Sequence, residues 1–312
     1  MGVSVIIRCY NEEEHIGKLL SGVLAQTVQE VEIILVDSGS SDATLSIASR
    51  YPVKIIKIAP EQFSFGRSLN LGCQEAGHEL MVIASAHVYP VYADWLERLL
   101  APFANPQTAL TYGKQRGTAE SHFSEQQIFG RWYPDHAQAE QAHPFCNNAN
   151  AAVRRSLWLE HPYDESLSGL EDVDWARWAV NSGYKIAYVA EAEIIHIHHE
   201  TRQGVYNRYR REAMAFKRIF PEEKFGLGDL VRLASANIVS DAWQAARQKA
   251  LLKNLAGIGW FRWMQFWGTY QGYRQAGPLN GQLRQTFYYP GGLGASQESS
   301  PRGVEPIRYE EL

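Results

Sequence analysis

Apolar residues in the first hundred positions fall into short blocks separated by segments of helical spacing. The blocks at residues 3–7, 32–36, 53–58 and 80–84 are rich in Val, Ile and Leu and too short for helices. Between them, residues 13–25, 41–51 and 66–76 read as helices by the recurrence of apolar positions on one face. Strands alternating with helices predict right-handed βαβ units, hence a mainly parallel sheet with helices on both faces. Ligands of such sheets bind beyond the carboxyl ends of the strands, where the strand order reverses. Chemistry is therefore expected at the ends of the first, second and fourth blocks.

The pattern changes after residue 112. Residues 113–162 read as irregular and are dense in Asn, His, Gln and aromatic residues. A long irregular stretch inside a compact domain is more often functional than structural. Helical spacing returns at 168–182, a strand-like run follows at 184–197, and from Tyr206 the chain turns helical and cationic, with Arg208, Arg210 and Arg211 close together. Residues 227–273 read as further helices, and from Pro290 Gly, Ser and Pro accumulate, predicting a mobile tail. The expected organisation is an α/β domain at 1–215, a helical extension at 216–289 and a flexible tail at 290–312.

Composition narrows the class. The 312 residues are 45% hydrophobic, enough for a large core, and the net charge of -4 lacks the basic surplus of a nucleic-acid binder. Cys9, Cys73 and Cys146 are scattered and odd in number, so neither a disulfide framework nor a Cys-x-x-Cys pair is expected. A cytoplasmic protein fits this usage. The N-terminus reads as a strand, and no apolar run reaches the ~18 residues of a membrane span. Attachment would be peripheral, at the inner face of a membrane.

Candidate chemistry sits at the predicted strand ends. Asp37, just past a buried strand, is placed to accept hydrogen bonds from a base or a ribose, and Gly39 permits a sharp turn. Ser41 or Asp42 can cap the following helix. The segments Ser4-Val5-Ile6-Ile7-Arg8-Cys9-Tyr10-Asn11-Glu12-Glu13 and Glu32-Ile33-Ile34-Leu35-Val36-Asp37-Ser38-Gly39-Ser40-Ser41-Asp42 together resemble the family 2 glycosyltransferases, in particular their rhamnosyltransferase-like members. The resemblance extends over roughly residues 1–215, through Phe63-Ser64-Phe65-Gly66-Arg67-Ser68-Leu69-Asn70. It implies a GT-A fold, a Rossmann-like α/β sheet, and transfer of a sugar from a nucleoside diphosphate sugar to a hydroxyl acceptor in polysaccharide biosynthesis. The nucleotide site it implies comprises Tyr10, Asn11, Glu12, Asp37, Ser38, Gly39, Arg67, Asn70, Ser85 and Ala86. Arg67 has two readings, a guanidinium for the diphosphate or a surface arginine at a helix start.

Where the family carries an Asp-x-Asp metal motif, this chain has Ser85-Ala86-His87. His87 is either a ligand of Mn²⁺ or a later ion in preference to Mg²⁺, or a protonated group at the leaving diphosphate. In Glu193-Ile194-Ile195-His196-Ile197-His198-His199, the period of a strand puts His196 and His198 on one face. They are the further metal candidates, against a reading as histidines satisfied at a strand end. Divalent Mn²⁺ or Mg²⁺ is thus the implied cofactor. Gly169-Leu170-Glu171-Asp172-Val173-Asp174 matches the family's Glu-Asp motif, which implies Asp172 as the base of an inverting transfer and Glu171 as a residue that orients the acceptor or the base. Both also suit a helix N-terminus on charge alone.

Asn147, Asn148 and Asn150 are sugar or acceptor candidates, since amides match hydroxyls as donor and acceptor, although an Asn-rich turn has the same composition. Trp132 could line an acceptor groove. The aromatic run at 258–267 could lie in a membrane interface, but packing on the domain or on a second copy in a homodimer is favoured. Loss of Asp-x-Asp leaves a catalytically inactive nucleotide-sugar-binding protein as the alternative. A nucleotidyltransferase would want a glycine-rich loop after the first strand, and Arg8-Cys9-Tyr10-Asn11 has no glycine.

Overall fold

The apolar blocks pair edge to edge in parallel. β1 (Val3–Cys9), α1 (Ile16–Leu24), β2 (Val31–Asp37), α2 (Thr44–Ala48), β3 (Val53–Lys57), α3 (Phe65–Gln74) and β4 (Leu80–Ser85) form the first half of the chain. In the computed structural model, which describes residues 2–118, 120–141, 143–198, 200–275 and 305–309, β1 lies between β2 and β4, and β2 also pairs with β3, all in parallel. The second half is β5 (Val88–Pro90), α4 (Trp95–Leu100), β6 (Thr108–Arg116), α5 (Phe123–Trp132), β7 (Asn150–Arg154), α6 (Arg155–Glu160), α7 (Glu171–Asn181), β8 (Lys185–His196), α8 (Arg202–Ile219), α9 (Leu227–Arg247) and α10 (Leu251–Arg274). The sheet order is β3-β2-β1-β4-β7-β6-β8-β5.

This is the expected α/β architecture with a helical C-terminal extension, but the sheet's second half is mixed. β7 runs antiparallel to both β4 and β6, β5 runs antiparallel to β8, and β6 with β8 is the parallel pair. Side chains alternate across β1, so Val3, Val5 and Ile7 pack with α1, α2 and α4 on one face, while Ile6 packs with α3, α6 and α7 on the other. Burying each such aliphatic side chain contributes about 1.5–3 kcal/mol.

Half of the stretch expected to be irregular is ordered secondary structure: the end of β6, α5, β7 and α6 all fall within it. Its pattern misled because α5 buries Ser124 and Glu125 beside Ile128 and Phe129, so the helix's inner face is not apolar. The helix expected at 41–51 shortens to Thr44–Ala48. Its first residues serve a loop instead: Glu13 and Thr44 donate backbone N–H to Asp42, and Ala43 donates to Glu13. α8 crosses residue 215, the expected boundary, without a break. Of the tail, only 305–309 lie within the described residues. There Ile307 N donates to Val91 O and Tyr309 Oη to Pro90 O, so these residues are tied to β5 and its flank.

The extension is packed onto the domain. A Cβ at Gly268 or Gly272 of α10 would collide with the backbone carbonyls of Tyr206 or Arg210, so the absence of side chains lets α10 lie against α8. Arg262 of α10 is buried, and its guanidinium holds Asp241 of α9 at 2.7 and 3.1 Å and the carbonyl of Ser124 in α5 at 3.3 Å. Loss of one partner from such a buried pair would cost about 3–5 kcal/mol.

Asn150 does structural work that its expected sugar-binding role did not anticipate. It is fully buried, accepts from Trp95 Nε1, and donates to the carbonyls of Lys114 and Ala192. Asn150→Ala should lower the unfolding free energy by about 3 kcal/mol in urea titration, because it orphans three buried partners. A loss below about 0.5 kcal/mol, the size of a neutral surface change, would refute this role.

Candidate active site

Strand order decides which side chains meet. Arg8, one residue before the end of β1, and Ser85, which ends β4, lie side by side in the register. Three residues on, β5 pairs with β8 so that Val88 faces His196, and Ile197 N donates to His87 O. This brings His87, His196 and His198 together, with one ring nitrogen from each within 4.8 Å of the others. The rings of His87 and His196 stack at 5.1 Å, and those of His196 and His198 lie 4.1 Å apart.

Each imidazole is oriented from outside the cluster by a different element. His87 Nδ1 meets Glu12 Oε1 at 2.6 Å, His196 Nδ1 meets Gln115 Oε1 at 2.7 Å, and His198 Nδ1 meets Glu125 Oε1 at 2.9 Å. For His87 and His196 an oxygen acceptor at Nδ1 assigns the proton there and leaves Nε2 with its lone pair, whereas His198 Nδ1 also lies 3.1 Å from Arg208 Nη1, which can only donate. His196 Nε2 is buried with no hydrogen-bond partner among the described residues. Burial, with the nearby charges of His198, His87 and Arg208, pushes His196 well below the ordinary histidine range, so it is neutral. Burial opposes protonation of His87 too, but the charge and hydrogen bond of Glu12 outweigh it and raise the pKa. Three imidazoles backed by carboxylate and amide oxygens fit a divalent transition ion better than Mg²⁺, which prefers all-oxygen shells.

The histidines line a cleft of about 300 Å³ that also takes in Arg8, Ser85, Trp132, Asn148, Glu171 and Asp172. α7 begins at Glu171, preceded by Leu170 in the left-handed region (φ 57°), a conformation that costs a non-glycine residue about 1–2 kcal/mol. That strained turn sets both carboxylates at the helix N-terminus. Glu171 pairs with Arg8 at 3.4 Å. Asp172 accepts the backbone N–H of Asn148 at 2.9 Å and of Val173 at 2.8 Å. Burial, followed by the charge of Glu171, pushes the Asp172 pKa up to about 7, against the lowering pull of those two N–H groups and Arg8.

Several cleft groups were not singled out by sequence. Arg8 lies under Phe65, with its guanidinium carbon 4.7 Å from the ring centroid, and Arg211 approaches the same ring at 4.8 Å. Arg208 of α8 bonds Glu125 at 3.0 Å and Glu200 at 2.9 Å. A charged residue inside an apolar parallel strand was the available signal for Arg8. Glu125 and Gln115 had none, since their role depends on facing a histidine. Arg8, Arg208 and Arg211 meet five carboxylates, Glu125, Glu171, Asp172, Glu200 and Glu212. Burial raises Glu200 and Glu212. The cleft therefore favours added positive charge.

The expected residues divide. Ser85, His87, Trp132, Asn147, Asn148, Glu171, Asp172, His196 and His198 line the cleft. The side-chain amide of Asn148 is buried and has no hydrogen-bond partner among the described residues, whereas Asn147 Oδ1 accepts from Ala149 N. Ala86 is buried beneath. Arg67 turns to Glu165 at 3.3 Å, away from the cleft, which favours its surface reading. Asn70 is buried, donating to Tyr163 O and Glu165 and accepting from Trp158 Nε1 and Tyr163 N, so it clamps α3 to the segment before α7. Asp37 accepts from the backbone N–H of Gly39 and Ser40, and Gly39 has φ 94°, so this loop is satisfied internally. Ser38 Oγ bonds Cys9 O. Asn11 joins the two loops, accepting from Ser41 N and donating its own N–H to Ser40, and Glu12 N donates to Thr44. Tyr10 lies on the same β1–α1 turn. His199 lies outside the described residues.

A second, apolar groove of about 510 Å³ opens from the cleft at Asp172, Asn147 and Trp132, and is walled by Phe145, Phe216, Phe220 and Tyr273.

Comparison with known proteins agrees with this architecture. An O-antigen chain rhamnosyltransferase of Salmonella typhimurium is 26% identical over 222 residues, covering 67% of this chain and 70% of that protein. One from Salmonella anatum is 28% identical over 201 residues, covering 59% of this chain and 62% of that protein. Among solved structures, the mannosyltransferase of Pyrobaculum calidifontis in complex with GDP-Man and Mn²⁺ superposes with a TM-score of 0.59 at 20% identity, over 87% of this chain and 84% of that one, which shows a shared fold. The profile of glycosyl transferase family 2 matches residues 4–159, half of the sequence. With that match and the GT-A architecture in place, this chain belongs to glycosyl transferase family 2.

Proposed function

We propose that the protein is an inverting transferase that moves a hexosyl or deoxyhexosyl unit from a nucleoside diphosphate sugar to a hydroxyl acceptor. The observation that carries this reading is Asp172, a buried carboxylate at a helix N-terminus where the polar cleft meets the apolar groove. The names of the two Salmonella relatives support a 6-deoxyhexose among the first donors to test. The Mn²⁺ complex of the Pyrobaculum enzyme supports use of a divalent ion.

Asp172 takes the proton of the acceptor hydroxyl as that oxygen bonds to the anomeric carbon. The bond from this carbon to the diphosphate breaks on the opposite face, and the nucleoside diphosphate leaves with the electron pair, inverting the centre. Raised proton affinity makes Asp172 a stronger base than a solvated aspartate. Glu171 holds Arg8 at the cleft wall, where its charge, with that of Arg211, offsets charge on the departing diphosphate. Held by His87, His196 and His198, a divalent ion would supply further positive charge to those phosphate oxygens. The nucleoside is assigned to the turn at Tyr10, Asn11 and Glu12 beside the Asp37–Gly39 loop, with Asp37 shaping the loop. Asn148 offers its unpartnered amide to sugar hydroxyls, and Trp132 and the aromatic groove receive the acceptor.

Asp172→Asn should lower turnover by about 10²–10⁴-fold while donor affinity stays within about two-fold. Retained turnover would remove Asp172 as the base. The sign of the pH dependence follows: below about 7 the carboxyl carries its proton and cannot accept another, so kcat/KM should rise with pH and level off above 7. A flat profile from pH 5 to 8 would contradict it. For the ion, His196→Ala should weaken Mn²⁺ binding by at least about 100-fold in titration calorimetry, and Gln115→Ala by about ten-fold. Unchanged affinity in both would end the histidine assignment.

A further inference from the structure

We propose that the hairpin of α9 and α10 is a docking surface for an anionic lipid bilayer. Most of the large apolar side chains exposed among the described residues lie on these two helices. On α9 they are Leu227, Val231, Val239 and Trp243, the last two 68% and 57% exposed; on α10, Leu252 is 93% and Trp263 46% exposed. At about 100° per residue, Leu252, Ala256, Gly259, Trp263, Trp267 and Tyr270 fall within roughly 80° of arc, a continuous stripe along the helix. Trp263 stacks parallel on Trp267 at 6.2 Å, and Trp267 meets Tyr270 at 5.7 Å. Aromatic rings with a polar edge suit the boundary between headgroups and acyl chains.

Charge selects the partner. Residues 227–274 carry six cations, Arg232, Arg247, Lys249, Lys253, Arg262 and Arg274, against two carboxylates, in a protein whose net charge is -4. Both carboxylates are occupied within the protein: Asp241 is buried against Arg262, and Asp229 holds Gly226 N and Arg232. Arg247, Lys249, Lys253 and Arg274 are exposed. Arg247 lies 4.7 Å over the ring of exposed Trp243 and Arg274 5.7 Å from Tyr270, which sets cations directly beside the apolar rings. This interleaving is what a helix lying in an anionic interface presents. No helix of the described residues is long and apolar enough to cross a membrane. A second copy of this chain would bring one cation-rich surface against another, which charge disfavours. The groove that opens at Asp172 is walled by Gln265, Thr269 and Tyr273, on the neighbouring face of α10.

The test is co-sedimentation of the full chain with vesicles of phosphatidylcholine alone or mixed with phosphatidylglycerol. Binding should be at least about ten-fold tighter to the mixed vesicles at about 50 mM salt, and should weaken at about 500 mM as the charges are screened. Each of Arg247→Gln and Lys253→Gln should lower affinity about five-fold. Trp243→Ser with Trp263→Ser should lower the salt-resistant part of binding. None of these residues lines the cleft, so turnover on a water-soluble acceptor should be unchanged, separating this surface from the chemistry. Absence of binding to the mixed vesicles, equal binding by the wild type and all variants, or a concentration-dependent dimer that these substitutions abolish would each overturn the proposal.

Discussion

β5 is three residues long, yet its antiparallel pairing with β8 is the contact on which the cleft depends. The pairing sets Val88 against His196, and thereby places His87 within reach of His196 and His198. Nothing in either segment alone draws His87 to the other two. The register of a strand pair is fixed by which face each residue must bury, and a slip of one residue would turn His196 to the other side of the sheet. Ile194 and Ala192, buried on β8, and Val88 and Tyr89, buried on β5, resist that slip. A hydrophobic register thus locates a polar cluster.

The cluster answers an electrostatic problem that an Asp-x-Asp motif would meet differently. Asp-x-Asp would bring negative charge to an ion; His87, His196 and His198 bring imidazole nitrogens without negative charge, and the carboxylates stand one layer out at Glu12 and Glu125. Glu125 is itself shared between His198 and Arg208, so part of its charge is already balanced. The same economy appears at α7, where, among the described residues, Glu171 is paired with Arg8 and Asp172 has no ion pair. The charge of Glu171 in turn raises the proton affinity of Asp172.

The C-terminal helices are part of this arrangement. α8 brings Arg208, Tyr209, Arg211 and Glu212 into the cleft, and α10 fixes α8 through the backbone contacts at Gly268 and Gly272. Arg262 extends the same support to α5 through the carbonyl of Ser124, next to Glu125. One face of the extension therefore positions cleft residues, and the opposite face, cationic and aromatic, is left to solvent.

How much was legible follows from the range of each signal. The parallel half of the sheet, the helices on both faces, the turn at Gly39 and the carboxylate pair at the start of α7 are local features, written in periodicity and in adjacent residues. Glu171-Asp172 and the β1 and β2 ends carried the family resemblance for the same reason. The mixed half of the sheet was not legible, because β7 is only five residues, with Asn150 and Arg154 at its ends, and α5 sets Ser124 and Glu125 beside Ile128 and Phe129 on its inner face. Asn70, Asn150 and Arg67 show the limit most directly. Their residue types suited a ligand, yet Asn70 and Asn150 bond buried groups far along the chain and Arg67 pairs with Glu165. Sequence determined which segments become strands and helices and which chemistries are on hand. Only the tertiary structure decided which side chains face one another, because a partner is chosen by strand order and packing, and neither is a property of any one segment.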